Sequence, residues 1–250
     1  MDAWIIILGI IIVVILFFLV RYYFFSKNSL VSYADLSTVP ADISSNIITN
    51  PNSILYSFGT WVYVSNFTNS SIFSYVKGGS SGIAGKSITE NENMIFSLVL
   101  GKAGGIGTSN SPVLTACVAG SSGAVQTSLN TVVITNNFPI QKWVHVLVSV
   151  DTMYIDCYLD GKLVISSPVK NQITSSPSSV PAITFAQPTP GQNPQIKITK
   201  LTRWDHPLDP QSVWNEYSSG NGLSQGGNLT VGLFVNSDSG TNNYKIYSNT

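Results

Sequence analysis

The chain has 250 residues with 12 cationic and 12 anionic side chains, so its formal net charge is zero; only 10% of residues are charged and 44% are hydrophobic. This balance argues against a nucleic-acid-binding surface, which needs clustered Lys and Arg, and against a disordered chain, which needs low hydrophobicity and high net charge. The length suits one large β domain with appendages, and two cysteines, Cys117 and Cys157, are too few for a secreted disulfide scaffold.

Residues 3–20 form an uninterrupted apolar run of a length that crosses a bilayer, spanning roughly 27 Å as a helix. Arg21, Tyr22, Tyr23, Phe24, Phe25 and Lys27 follow, as at a membrane interface. No basic stretch precedes the run and no small-residue cleavage site follows it, so a signal peptide fits poorly. The expectation is a single-pass transmembrane anchor over residues 1–25, with the lipid bilayer as partner. Arg21 and Lys27 place the large C-terminal part on the cytoplasmic side by the positive-inside rule.

Residues 26–53 are rich in Ser, Asn and Thr and carry Pro40 and Pro51, which predicts a linker with little structure of its own. Fully extended, its 28 residues reach roughly 90 Å. Ile43, Ile47 and Ile48 offer a first edge strand as the alternative. A β-sandwich is expected over residues 54–250. Its strands are predicted at 54–67, 71–77, 94–100, 113–119, 129–134, 143–150, 153–159, 162–165, 182–187 and 196–204, with two more at 229–235 and 244–247. The clearest signal lies at residues 143–166 (WVHVLVSVDTMYIDCYLDGKLVIS). Val144, Val146, Val148 and Val150 alternate with Trp143, His145, Leu147 and Ser149, as in a strand with two distinct faces. Asp160-Gly161 is a two-residue hairpin signal. Asp209 caps a short helix with Pro210 at its first position. Val213, Trp214 and Tyr217 form that helix's apolar stripe, and Gly220 ends it. Uncharged loops rich in Gly, Ser, Asn and Pro are expected at 80–93, 101–111, 120–128, 170–181 and 188–194, and long loops of this kind carry function.

The Trp-Val-His-Val strand, the Tyr-Leu-Asp-Gly-Lys-Leu-Val hairpin, the upstream SFGTWVYVSNF and the downstream IKITKLTRWDHPLDPQSVWNEY together resemble the concanavalin A-like lectin/glucanase fold in its laminin-G-like form. The resemblance covers residues 54–220. It implies an all-β antiparallel jelly-roll sandwich, with Trp61 and Trp143 at core positions, and says little about function, since this fold hosts lectins, hydrolases, adhesion modules and structural proteins. The architecture, a short N-terminal anchor followed by a laminin-G-like jelly roll, resembles virion proteins of large DNA viruses of algae and protists.

Glucanases of this fold need acids grouped on one strand, so that alternate carboxylates enter one cleft as nucleophile and general acid. Glu90, Glu92 and Glu216 do not form such a group, and no enzyme is expected. Calcium requires several converging oxygens; Asp151, Asp156, Asp160 and Asp205 are better explained by turn chemistry. His145 and His206 have too few partners for zinc. No catalytic, metal or cofactor-binding residue is therefore assigned, and no cofactor is expected. Trp61, Trp143, Trp204 and Trp214 supply aromatic surface of the kind that stacks on sugars, although core packing is the default for the first two and helix packing for Trp214. Trp143, Ile155, Cys157, Leu159, Leu163 and Ile165 are the expected core, and both cysteines read as small buried hydrophobes. Sequons at Asn66, Asn69 and Asn228 are no more than this composition yields by chance. The reading is a minor capsid protein, anchored in the inner viral membrane and tethering it to the capsid shell through loop contacts with capsid proteins; the alternative is a membrane-anchored lectin that binds glycans.

Overall fold

The computed structural model describes residues 4, 9–17, 28–38, 40–66, 70–77, 93–102, 111–122, 125–173, 181–185 and 195–223. Twelve strands and one C-terminal helix are described. The strands are β1 (Asn28–Asp35), β2 (Tyr56–Asn66), β3 (Ser70–Lys77), β4 (Met94–Lys102), β5 (Pro112–Ser122), β6 (Val125–Thr135), β7 (Trp143–Val150), β8 (Tyr154–Leu159), β9 (Lys162–Pro168), β10 (Gln172–Ile173), β11 (Pro181–Phe185) and β12 (Gln195–Trp204). The helix, α1, is Pro210–Ser218. The first sheet runs β1-β12-β2-β7-β8-β9; the second runs β10-β5-β4-β3-β11, with β6 also paired to β5. Every described pairing is antiparallel.

Alternation decides which side chains enter the sandwich. In β7 the four valines point inward and are buried, and Ile155 and Cys157 continue that face on β8. From β2 and the second sheet, Phe58, Phe73 and Phe96 fill the centre, with Phe58 stacked on Phe96 at 5.0 Å between ring centroids. Aromatic pairs of this kind add specificity beyond the area they bury. The inward row ends on an unusual member. Arg203 is fully buried and lies over the rings of Tyr56 and Tyr75, 5.9 and 5.7 Å from their centroids. Its Nη1 donates to the Thr49 carbonyl at 2.6 Å and its Nη2 to the Asn50 carbonyl at 3.1 Å. Arg203 faces inward because β12 carries a bulge between Thr199 and Thr202, with Lys200 at φ 49°. The extra residue resets the alternation, so Ile196 and Ile198 precede Leu201 and Arg203 on the core face.

Several expectations are corrected here. The linker expected over residues 26–53 is not seen where the segment is described, at residues 28–38 and 40–53. Asn28–Asp35 is an edge strand paired to β12, with Asn28 opposite Arg203 and Asp35 opposite Lys197. Leu36, Ile43 and Ile48 are buried in the core, and Ile43 bridges Ile183 of β11. The edge strand is thus not built from Ile43, Ile47 and Ile48. Ile43 instead makes a single bridge to β11, exchanging backbone hydrogen bonds with Ile183 at 2.8 and 3.0 Å, and Ile47 is exposed. Residues 120–122 and 125–128 are strand rather than loop, since β5 and β6 pair as far as Ser122 and Val125. Leu163 is exposed: it lies opposite Tyr158 on the outward face, beyond a register shift between Cys157 and Tyr158. Trp143 is only half-buried and also faces outward.

Residues 9–17 are helical, and Ile10 through Phe17 are eight consecutive apolar side chains, each 47–65% exposed. No helix among the described residues is long and apolar enough to cross a membrane. Residues 18–27, the expected strands at 229–235 and 244–247, the loop at 188–194 and most of those at 80–93, 101–111 and 170–181 lie outside the described residues.

Candidate functional site

The outward face of the first sheet carries the densest group of aromatic and titratable side chains described. Cross-strand register builds it: Tyr63 lies opposite Trp143, Trp61 opposite His145, and Gly59 opposite Leu147 on β2 and β7. Tyr63 and Trp143 pack at 5.4 Å, and Trp61 and His145 at 5.2 Å. Helix α1 lies across part of this face. Tyr217 stacks on Trp61 at 5.5 Å with the rings 23° apart, and Trp214 packs on Tyr217 at 5.4 Å. Beside them Leu147, Tyr158, Trp204, Leu208 and Val213 form a second, smaller core between helix and sheet. That core explains why an outward row can be apolar. It also requires Gly59: a Cβ there would meet the Trp204 ring at 3.0 Å.

The helix is clamped at both ends. Asp209 Oδ1 accepts from the N–H groups of Gln211 and Ser212 at 2.9 and 3.1 Å, the N-cap expected from sequence. Lys200, the bulge residue of β12, donates through Nζ to the carbonyls of Ser219 and Gly220 at 3.2 and 2.7 Å. A cation there satisfies the free carbonyls of a helix C-terminus and suits its negative dipole end. The entry to α1 is held by the Leu208 N–H, which donates to Ser57 Oγ and Ser149 Oγ at 3.1 and 3.0 Å.

His145 sits beneath this assembly. Its backbone N–H donates to Asp160 Oδ1 at 2.9 Å, which holds the hairpin between β8 and β9 against β7. Burial pushes the imidazole down to about 4, against the opposing pull of Glu216 and Asp160, so the ring is neutral at pH 7. Its Nδ1 and the neighbouring Trp61 Nε1 are buried without hydrogen-bond partners among the described residues. A neutral, buried ring is a poor general acid or base for substrate in solvent.

The other candidates are dispersed. Asp151 Oδ1 accepts from the Thr152 N–H in the turn after β7. Asp156 lies on β8 opposite Ser149, Asp160 occupies its hairpin turn at φ 47°, and Asp205 pairs with His206 at 3.0 Å. Among the described residues no group of three His, Cys, Asp or Glu side chains could hold a metal ion. Glu90 and Glu92 lie outside the described residues, as do the sequon asparagines Asn69 and Asn228; Asn66 is exposed at the end of β2. Cys117 and Cys157 are free and buried, on different sheets. Burial raises both thiols, that of Cys157 to about 12, so neither is a nucleophile at neutral pH. Trp61 and Trp143, expected in the core, flank the outward aromatic strip instead, because the valines of β7 already fill the interior. Trp214 does pack its helix against the sheet, over Gly161, but remains half-exposed. The strip itself was hidden from sequence reasoning. The parity of Trp143 with His145 was visible, but nothing showed which face met the second sheet.

A second polar row crosses the other sheet's outward face: Thr184, Ser74, Ser97, Cys117 and Thr131 stand in register on five strands. Ser74 Oγ and Ser97 Oγ are 2.8 Å apart, and Thr184 Oγ1 donates to the Ser74 carbonyl at 3.4 Å. These hydroxyls satisfy one another and the backbone.

Residues 41–214 match the family described as the concanavalin A-like lectin/glucanases superfamily. No curated protein matches the chain. Among solved structures, it is similar to the ligand binding domain of botulinum neurotoxin serotype D in complex with N-acetylneuraminic acid, at 12% identity and TM-score 0.48, covering 77% of this chain and 41% of that one. The binding domain of Paraclostridial Mosquitocidal Protein 1 gives 10% identity and TM-score 0.47, covering 71% and 38%. Domain 4 of AbnA, an extracellular arabinanase of Geobacillus stearothermophilus, in complex with arabinotriose, gives 19% identity and TM-score 0.40, covering 66% of each chain. The chain thus spans well under half the length of the toxin domains.

Proposed function

The chain belongs to the concanavalin A-like lectin/glucanases superfamily, and from that premise we propose that it is a membrane-anchored, non-catalytic structural module. The N-terminal helix is held in a bilayer, and the sandwich, on the cytoplasmic side, docks against protein neighbours. The setting that fits this design is a virion in which a minor capsid protein ties the inner membrane to the capsid shell. The observation that carries the reading is the helix at residues 9–17, with apolar side chains exposed on every side next to a sandwich whose own core is closed. Water penalises such a surface, and lipid does not. Among the described acids, Asp151, Asp160 and Asp209 each accept backbone N–H groups and Asp205 pairs with His206, and these structural roles favour the non-catalytic part.

The test is the Ile11→Lys/Val14→Lys variant. Each lysine costs about 2.5–3.5 kcal/mol at the centre of a spanning helix, so the variant should leave the membrane fraction after alkaline washing, whereas the wild type stays. A variant that still pellets with membranes would sink the anchor. Detection of the protein between membrane and shell in purified particles tests the structural role.

A membrane-anchored lectin is the second reading. The half-exposed strip of Tyr63, Trp143, Trp61, Tyr217 and Trp214 favours it, since flat aromatic faces stack on sugar rings. Binding to one sugar class on a glycan array, lost in Trp214→Ala, would put this reading ahead.

A further inference from the structure

We infer that the β7–β8 turn is a lipid-contacting tip, through which the sandwich rests on the surface of the bilayer that holds its own anchor. The inference rests on the anchor reading above. Residue 17 of the exposed apolar helix and Asn28 of β1 are separated by ten residues, which even fully extended span no more than about 40 Å. The sandwich therefore stays near the membrane, and the end of the sheet where β1 starts is the end tied to it.

Register identifies that end. Asn28 lies opposite Arg203, Arg203 opposite Phe58, Phe58 opposite Val148, and Val148 opposite Cys157. The turn at Asp151–Met153 closes β7 and β8 two residues further along, at the same end as the start of β1. Four interstrand spacings, about 19 Å, separate β1 from β8 across the sheet, which is well within the tether's reach.

The tip has the composition for the contact. Met153 is 66% exposed and the adjacent Tyr154 48% exposed. A flexible thioether and an amphipathic phenol at the apex of a turn suit the boundary between headgroups and acyl chains. Charge supplies no net attraction, since Asp151 in the turn is offset by the exposed Lys170, which follows Val169, whose N–H donates to the Met153 carbonyl at 2.9 Å. The partner is thus an uncharged lipid surface rather than an anionic one. Ile140, in the connection between β6 and β7, is 49% exposed at the opposite end of the same sheet. Exposed, but at the far end of the sheet, it serves as the control position.

The experiment uses the full chain in phosphatidylcholine vesicles. Met153→Cys and Ile140→Cys variants are labelled with an environment-sensitive fluorophore; the native thiols are buried and protonated, so the wild type should take up little label. Doxyl lipid with a shallow spin label is then added as quencher. The expected result is at least about twofold stronger quenching at position 153 than at 140, with a blue-shifted emission at 153 only. Equal quenching at both positions, or none at either, in protein that floats with the vesicles overturns the contact while leaving the anchor standing. Protein that fails to float overturns the anchor, and the contact with it.

Discussion

At the scale of single residues, two buried polar side chains set how the domain responds to solution conditions. His145 is neutral in the folded protein because burial lowers its affinity for protons to about 4, against 6.5 when the chain is unfolded. Between those values the unfolded state binds the extra proton, so stability is complete above pH 6.5 and declines as pH falls towards 4. The loss should reach about 3 kcal/mol at the lower limit. Urea midpoints at pH 7, 5.5 and 4 check this, and His145→Phe should flatten the profile over that range. Asp35 and Asp209, whose carboxyls are held low chiefly by hydroxyls of Ser37 and Ser212, lose their share only at lower pH. Arg203 is the contrasting case: a buried cation that satisfies two carbonyls and two aromatic faces without a contacting carboxylate among the described groups. Its guanidinium ties residues 49–50 to the sandwich by geometry that a lysine does not reproduce.

Among elements, β1 matters most. It covers the outer edge of β12, and the segment behind it adds Leu36, Ile43 and Ile48 to the core and offers Arg203 its two carbonyls. A fragment of residues 28–250 should therefore fold, whereas 54–250 should not hold together. Three lost apolar side chains at about 1.5–3 kcal/mol each amount to much of an ordinary domain's stability, and the uncovered β12 invites edge-to-edge association. Melting curves and size-exclusion profiles of the two fragments check this; equal melting temperatures would refute it. The sequence disclosed the strands that have two contrasting faces. Trp143–Val150 and the Asp160-Gly161 hairpin are read directly from alternation and turn chemistry. β1 was hidden because NSLVSYAD needs only one partly apolar face at a sheet edge, and so shares the composition of a loop. The bulge at Lys200 was hidden too. Unbroken alternation over residues 196–204 would put Trp204 with Ile196 and Ile198, and only the bulge sends Trp204 outward beneath α1 and Arg203 inward. The aromatic strip of the candidate site depends on that unseen helix packing, and the core positions that the resemblance implied for Trp61 and Trp143 did not disclose it.

For the molecule as a whole, the zero net charge and the buried cores imply a domain governed by apolar burial and backbone pairing rather than by ion pairs. The Lys142–Asp160 pair, at 3.5 Å and with Lys142 largely exposed, is of the kind that contributes little. Raising NaCl from 0.05 to 0.5 M should change the unfolding free energy by less than about 0.5 kcal/mol, and calorimetry on residues 28–250 measures it. Contacts made by the sandwich in an assembly should be similarly insensitive to salt.

The place where the chain enters the sandwich has a mechanical consequence. In the anchored arrangement proposed above, a pull from the membrane would arrive at the first residue of β1, whose backbone bonds to β12 run perpendicular to the strand. Tension along the strand axis then loads the whole row of bonds together in shear, from Asn28 to Asp35, and the strand resists as a clamp. Tension directed sideways would instead open the same bonds one after another from Asn28, like a zipper. The direction of a pull on β1 therefore sets how much force that proposed link would withstand, and its lifetime under load would follow the rate at which β1 peels away rather than the equilibrium stability of the domain.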